Sequence, residues 1–177
     1  MRLFVLALMA ALTVPAVAFA QNDMSNANGS PAKMKSHPGT ADKKFIKNAV
    51  TSGLAEVQDG QLAEHKGDAA VQAIGAKMVA DHSQANAQLN AILAGKGLAA
   101  PTSVTSKQAE TTTELQELSG DAFDTAYLKG QKQAHEHAIK LFETEATDGT
   151  DPDLKSFAQA TLPTLQMHLQ MIKSAMK

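Results

Sequence analysis

Between Val71 and Ile92, apolar or small residues recur in a four-three rhythm: Val71, Gly75, Met78, Ala85, Leu89 and Ile92. The place that the rhythm requires between Met78 and Ala85 is taken by His82. Spacing of this kind marks a helix with one buried face, so it predicts His82 pointing inward at mid-helix. Asp68 is a good N-cap for this helix, and Gly95 and Gly97 stop it after Ala94.

Three further segments carry the helical period. The first, over 41–66, has Thr40 or Asp42 as cap, Gly67 as terminator and a stripe of Ile46, Val50, Gly53 and Val57 beside Phe45 and Ala49. At 100° per residue Glu56 falls roughly 60° from the centre of that arc, at the margin of the core. The third long helix, over 121–147, gathers Phe123, Tyr127, Ala134, Ala138, Leu141 and Phe142 on one broad face. His135 lies inside that arc, among Leu128, Gln131, Ala138 and Phe142, whereas His137 lies beyond its edge. The fourth starts at Asp151-Pro152, an N-cap followed by proline at the first helical position, and runs nearly to Lys177. Its face is Leu154, Ala158, Thr161, Leu165, Leu169 and Ile172, with His168 at the margin. Pro163 lies inside this helix, which predicts a kink near Thr161 and a Gln159 carbonyl without its usual donor.

The connection over 98–120 is long, and connections of that length are unusual. Thr105 followed by Gln108 is a capping box, and Leu115 and Leu118 give a weak apolar edge, which predicts a short helix outside the main bundle. Four long helices with one long connection predict an all-α, ferritin-like four-helix bundle in which the second and third long helices can run parallel. The glycines at 53, 60, 75 and 130 each cost helix stability. They serve either close backbone approach or room for a ligand, and spacing alone does not choose.

Composition places this domain. Arg2, an apolar run over 3–18 and Ala18-Phe19-Ala20 read as a secretory signal peptide over 1–20. Residues 21–40 read as a disordered linker and 41–177 as the bundle. The expected location is the periplasm, peripheral to the outer membrane if associated with it at all. The linker's Met24, Met34 and His37 are soft-metal ligand types, although a solvated tail is the simpler account. Cysteine is absent, which excludes disulfides and lipoprotein anchoring. No later run is long enough to span a bilayer. Net charge is −2 with signs interspersed, so nucleic-acid binding has no electrostatic footprint. Aromatics are 4% of the chain, which suits close-packed helices better than a sheet.

Several motifs match a known pattern: Phe45…Glu56-Val57, then Met78-Val79-Ala80-Asp81-His82, then Leu118-Ser119-Gly120…Phe123-Asp124…Tyr127. His135, Leu141-Phe142, Phe157-Ala158, Leu162-Pro163 and His168-Leu169 complete it. In this ordered set the chain resembles an exported bacterial family, domain of unknown function 4142, over about residues 41–176. The resemblance implies a ferritin-like bundle, often labelled a predicted outer membrane protein. It also implies that the family's recurring histidines fall on His82, His135 and His168, and its first-helix glutamate on Glu56.

Those four residues lie near the middle of their helices, with offsets of at most about four residues, or about 6 Å. They can therefore meet at one level as a site for a transition-metal ion or small ligand, with Asp81 as an acceptor behind a ligand if it faces a neighbouring helix. Glu-x-x-His, the signature of carboxylate-bridged di-iron bundles, is absent: Val79, Lys132 and Leu165 stand three residues before the three histidines. No nucleophile elbow, phosphate loop or zinc-protease motif occurs, so hydrolase chemistry has nothing to stand on and no catalytic residue is assigned. The contrasting account is a metal-free structural or stress-related envelope protein acting through surface contacts. There each histidine simply satisfies its own hydrogen bonds, and His37, His65 and His137 are surface residues.

Overall fold

The computed structural model describes residues 37–176. The expected leader, most of the expected linker, and Met24 and Met34 lie outside the described residues. Five helices follow: α1 Thr40–Lys66, α2 Ala69–Gly95, α3 Ser106–Glu117, α4 Gly120–Asp148 and α5 Pro152–Ala175. Their ends follow local capping chemistry. The Asp68 carboxylate accepts from the Ala70 and Val71 N–H groups, and Asp151 does the same for Asp153 and Leu154. The Thr105 hydroxyl accepts from the Gln108 N–H while the Gln108 side chain accepts from the Thr105 N–H, so the capping box forms. At the start of α1 the cap is Gly39 rather than Thr40 or Asp42. Asp42 is the third helical residue and reaches back to accept from the Gly39 N–H at 2.7 Å. Just past the end of α2, Gly97 has a φ of +71°, its N–H donates to the Ala94 carbonyl and that of Leu98 to the Leu93 carbonyl.

Contacts at the helix ends give the topology. The Asp68 N–H donates to Asp124, which puts the starts of α2 and α4 together. The Lys96 ammonium lies 2.8 Å from both Asp151 and Asp153, which puts the end of α2 beside the start of α5. Thr150, between α4 and α5, donates through its N–H and hydroxyl to Asp42 at the start of α1. Hence α2 and α4 run parallel, and α3 belongs to the crossover that returns the chain along the bundle. The crossover lies against α1, where the Thr112 hydroxyl donates to Asp59 at 2.6 Å and the Lys66 ammonium to the Gln116 carbonyl at 2.7 Å. The bundle pairs are α1 with α2, α2 with α5, α5 with α4 and α4 with α1. This is the ferritin-like arrangement with one long crossover.

The apolar core is divided. Phe45, Val50, Leu89, Leu93, Phe142, Phe157 and Leu165 belong to one cluster. Ala63, Val71, Met78, Phe123, Tyr127 and Ile172 belong to the other. On every long helix buried polar side chains lie between the two: Glu56 on α1, His82 on α2, Gln131 and His135 on α4 and His168 on α5. The α1–α2 contact is close because Gly60 and Gly75 meet. A Cβ on Gly75 would lie 2.7 Å from both the Gly60 carbonyl oxygen and the Ala63 Cβ. Gly130 differs, since a Cβ there has nothing within 4 Å.

Two expectations need correction. On α4, Leu128 and Gln131 are buried beside His135 as the arc around that histidine implies, but the face is turned relative to the rest of its stripe: Ala134 is exposed, and Ala138 and Leu141 are half-buried. The small residues Gly130 and Ala134 leave a groove there instead of packing. On α5, Thr161 and Leu169 are half-buried, whereas His168 is fully buried. The helix runs through Pro163 without a break in its helical course. Pro163 and Gln159 are both exposed, so water can reach the carbonyl that lacks a backbone donor. Among the described residues, no helix is long and apolar enough to cross a membrane.

Candidate metal centre

Three imidazoles meet between the two apolar clusters. Their ring centroids are 5.6 Å apart for His82 and His135, 5.3 Å for His82 and His168, and 5.3 Å for His135 and His168. Each offers a nitrogen, and the three nitrogens lie within 4.8 Å of one another. No apolar layer separates the rings, and all three residues are buried, His168 at 0% and His135 at 1% exposure.

The outer hydrogen bonds set the tautomers. His135 Nδ1 lies 3.0 Å from the Gln131 carbonyl, which can only accept, so Nδ1 carries the proton. His168 Nε2 lies 2.7 Å from Asp81 Oδ2. Burial pushes the Asp81 carboxyl up, but hydrogen bonds from Lys77 and His168 outweigh it and hold it below its ordinary value. Asp81 is therefore ionised and accepts from His168 Nε2–H. What remains is His135 Nε2 facing His168 Nδ1 at 3.3 Å, each with a bare lone pair. Two lone pairs at that distance repel unless a cation lies between them. The third ring contributes His82 Nε2, which is buried and has no hydrogen-bond partner.

A shared proton is a poor answer. Burial pushes His82 down to about 3, helped by the neighbouring imidazoles. Burial likewise takes His135 down to about 4. It also lowers His168, against the opposing pull of Asp81. All three rings are neutral at neutral pH, the form that binds metal.

Glu56 does not join the trio. Its Oε1 lies 4.0 Å from His135 Nδ1, the nitrogen that faces away from the other rings. Burial pushes its carboxyl up to about 8, against a hydrogen bond from Gln131. Asp81 was expected as an acceptor behind a ligand if it faced a neighbouring helix, and it does face α5, where it orients His168. Lys77 and Gln131 were missed. Lys77 holds Asp81 from one helical turn earlier at 2.6 Å, a spacing visible in sequence. Gln131 sits one turn before His135 and acts through its carbonyl, which residue type does not reveal. His37, His65 and His137 are exposed, as expected.

Comparison with known proteins gives fold and family. The bundle is similar to the crystal structure of a DUF305 fragment from Deinococcus radiodurans, with a TM-score of 0.68 at 11% identity, over 78% of this chain and 97% of that chain. At that identity the likeness concerns the fold alone. No curated protein matches the chain. Residues 25–175 match the family model described as Domain of unknown function (DUF4142), and the chain belongs to that family.

Proposed function

We propose that this is an exported bundle that binds one transition-metal ion through His82, His135 and His168, with Asp81 orienting His168. The observation that carries the reading is the facing pair of unprotonated nitrogens, His135 Nε2 and His168 Nδ1, at 3.3 Å. Bonds of about 2.0–2.1 Å in a tetrahedral zinc site put ligand nitrogens about 3.3 Å apart. A ring tilt of His82 completes three ligands and leaves one position for water or an anion. A carboxylate–histidine–metal relay such as Asp81–His168 fixes the ring and raises its basicity. Neutral imidazoles suit zinc, copper, iron or nickel, and geometry does not rank them. Glu56 is left out of the ligand set, and no catalysis is assigned.

The test is thermal unfolding with EDTA and with added Zn²⁺, Cu²⁺ or Fe²⁺. At a hundredfold excess over Kd the wild type should gain about 2.7 kcal/mol, or about 5–10 °C. His135→Leu should lose most of that gain, and His137→Leu should keep it. If wild type and His135→Leu shift together with every metal, the protein is a metal-free bundle acting through its surface. Export is tested separately. The leader over 1–20 predicts a mature chain that begins at Gln21, and intact mass of exported protein with Met1 retained would refute it.

A further inference from the structure

Nitrogen distances alone do not rank the metals at the proposed centre, but its surroundings do. Among the described residues, the one convergent group of metal-ligating side chains holds three imidazoles and no carboxylate. The two carboxyls nearby are turned to the outer nitrogens. Glu56 lies 4.0 Å from His135 Nδ1, and Asp81 holds His168 Nε2. The inward nitrogens are enclosed: His135 and His168 are fully buried, and His82 Nε2 is buried as well. A fourth ligand therefore has no source among these side chains, and bulk water does not touch His82 Nε2.

Soft atoms lie on one side of the trio. Met78, fully buried, stands one helical turn before His82, and Met171, half-buried, one turn after His168. Helices α2 and α5 run antiparallel, since the end of α2 lies beside the start of α5. Both methionines thus fall toward the same end of the bundle, about 4.5–6 Å along it from the histidines. Both pack in the second apolar cluster.

These features select by coordination number and softness. Zinc is almost always four-coordinate, and where a protein gives it three ligands a water or substrate takes the fourth place. Iron(II) and nickel(II) need further ligands too. Copper(I) has a filled d shell, is stable with three ligands, and suits imidazole with thioether nearby. Its single charge also costs less to bury between two apolar clusters than a double charge.

We propose that the centre takes copper(I), held three-coordinate by His82, His135 and His168. The proposal rests on the metal-binding reading above and names its ion.

The experiment measures the affinity of the whole mature protein for Cu⁺, Cu²⁺ and Zn²⁺, by anaerobic competition with chromophoric chelators. Cu⁺ should bind at least a hundredfold tighter than either divalent ion. His135→Leu should lose at least a hundredfold in Cu⁺ affinity, and His137→Leu should lose none. X-ray absorption of the Cu⁺ form should find three nitrogen neighbours and no oxygen. If Zn²⁺ or Cu²⁺ binds as tightly as Cu⁺ and still depends on His135, the metal-binding reading stands and the copper(I) proposal is overturned. A fourth nitrogen or oxygen neighbour overturns it in the same way. Absence of any metal binding that depends on His135 overturns both.

Discussion

A buried histidine is informative through its second nitrogen. His135 spends Nδ1 on a carbonyl of its own helix, and His168 spends Nε2 on Asp81. Each bond is ordinary alone, yet together they aim two bare nitrogens at each other. Sequence periodicity placed His82 and His135 inward because each falls on an apolar stripe. It set His168 at a margin, because the stripe of α5 does not reveal that α2 carries an acidic partner opposite. Tautomers were beyond the sequence altogether, since they depend on which carbonyl or carboxylate folding brings near. Asp81 therefore offers a sensitive test of the proposed metal centre. Asp81→Asn keeps the volume but removes the charge that fixes the tautomer of His168, and an asparagine amide can turn a donor toward the ring instead. Metal affinity should fall about 10–100-fold, with thermal stability in EDTA changed much less. Competitive titration against a chromophoric chelator measures this, and an unchanged Kd would remove Asp81 from the site.

At the scale of elements, the helix limits were legible because they rest on local chemistry: Asp68, Thr105 with Gln108, and Asp151-Pro152 all act where they stand in sequence. The helix glycines were not legible, since their role depends on what lies opposite. Gly75 meets the Gly60 backbone across the α1–α2 contact, whereas Gly130 borders open space. The same substitution should therefore act in opposite directions. Gly130→Ala should stabilise by about 0.5–1 kcal/mol through helix propensity alone. Gly75→Ala gains that propensity too, but it pushes a methyl group to 2.7 Å from backbone and Ala63. Overpacking of that kind costs about 1–3 kcal/mol, so the net effect is destabilising. Urea unfolding of both variants decides, and a stabilised Gly75→Ala would mean that the two helices separate easily. The turned face of α4 has a related origin. Small residues such as Ala134 fit a core or a groove equally well, and only the placement of α3 settles which.

Across the whole molecule, the crossover brings the start of α1, the end of α2 and the turn between α4 and α5 to one end of the bundle. Sequence allowed the parallel pairing of α2 and α4 through the length of their connection. It did not show the buried acid that this end contains. Asp42 and Asp151 are fully buried and Glu145 is 3% exposed. Burial pushes the Glu145 carboxyl up to about 7, and the nearby Asp42 charge adds to it. Asp42 itself is raised by burial, but bonds from Thr150, the Gly39 N–H and Glu145 outweigh that and hold it below its ordinary value. Glu145 thus keeps its proton and donates it to Asp42 when folded, whereas the unfolded chain releases it near the ordinary value of 4.5. Between those two values the native state binds more protons than the unfolded state, so this group's contribution to stability falls as pH rises. Above about 7 the contribution is flat. Glu145→Gln retains an N–H donor for Asp42 and has no proton to lose. Urea unfolding at pH 5 should find the variant within about 0.5 kcal/mol of wild type. At pH 8 the variant should be more stable by on the order of 1–3 kcal/mol. Parallel stability curves from pH 5 to pH 8 would show that Glu145 ionises normally, and that the acidic end of the bundle takes in enough water to solvate it.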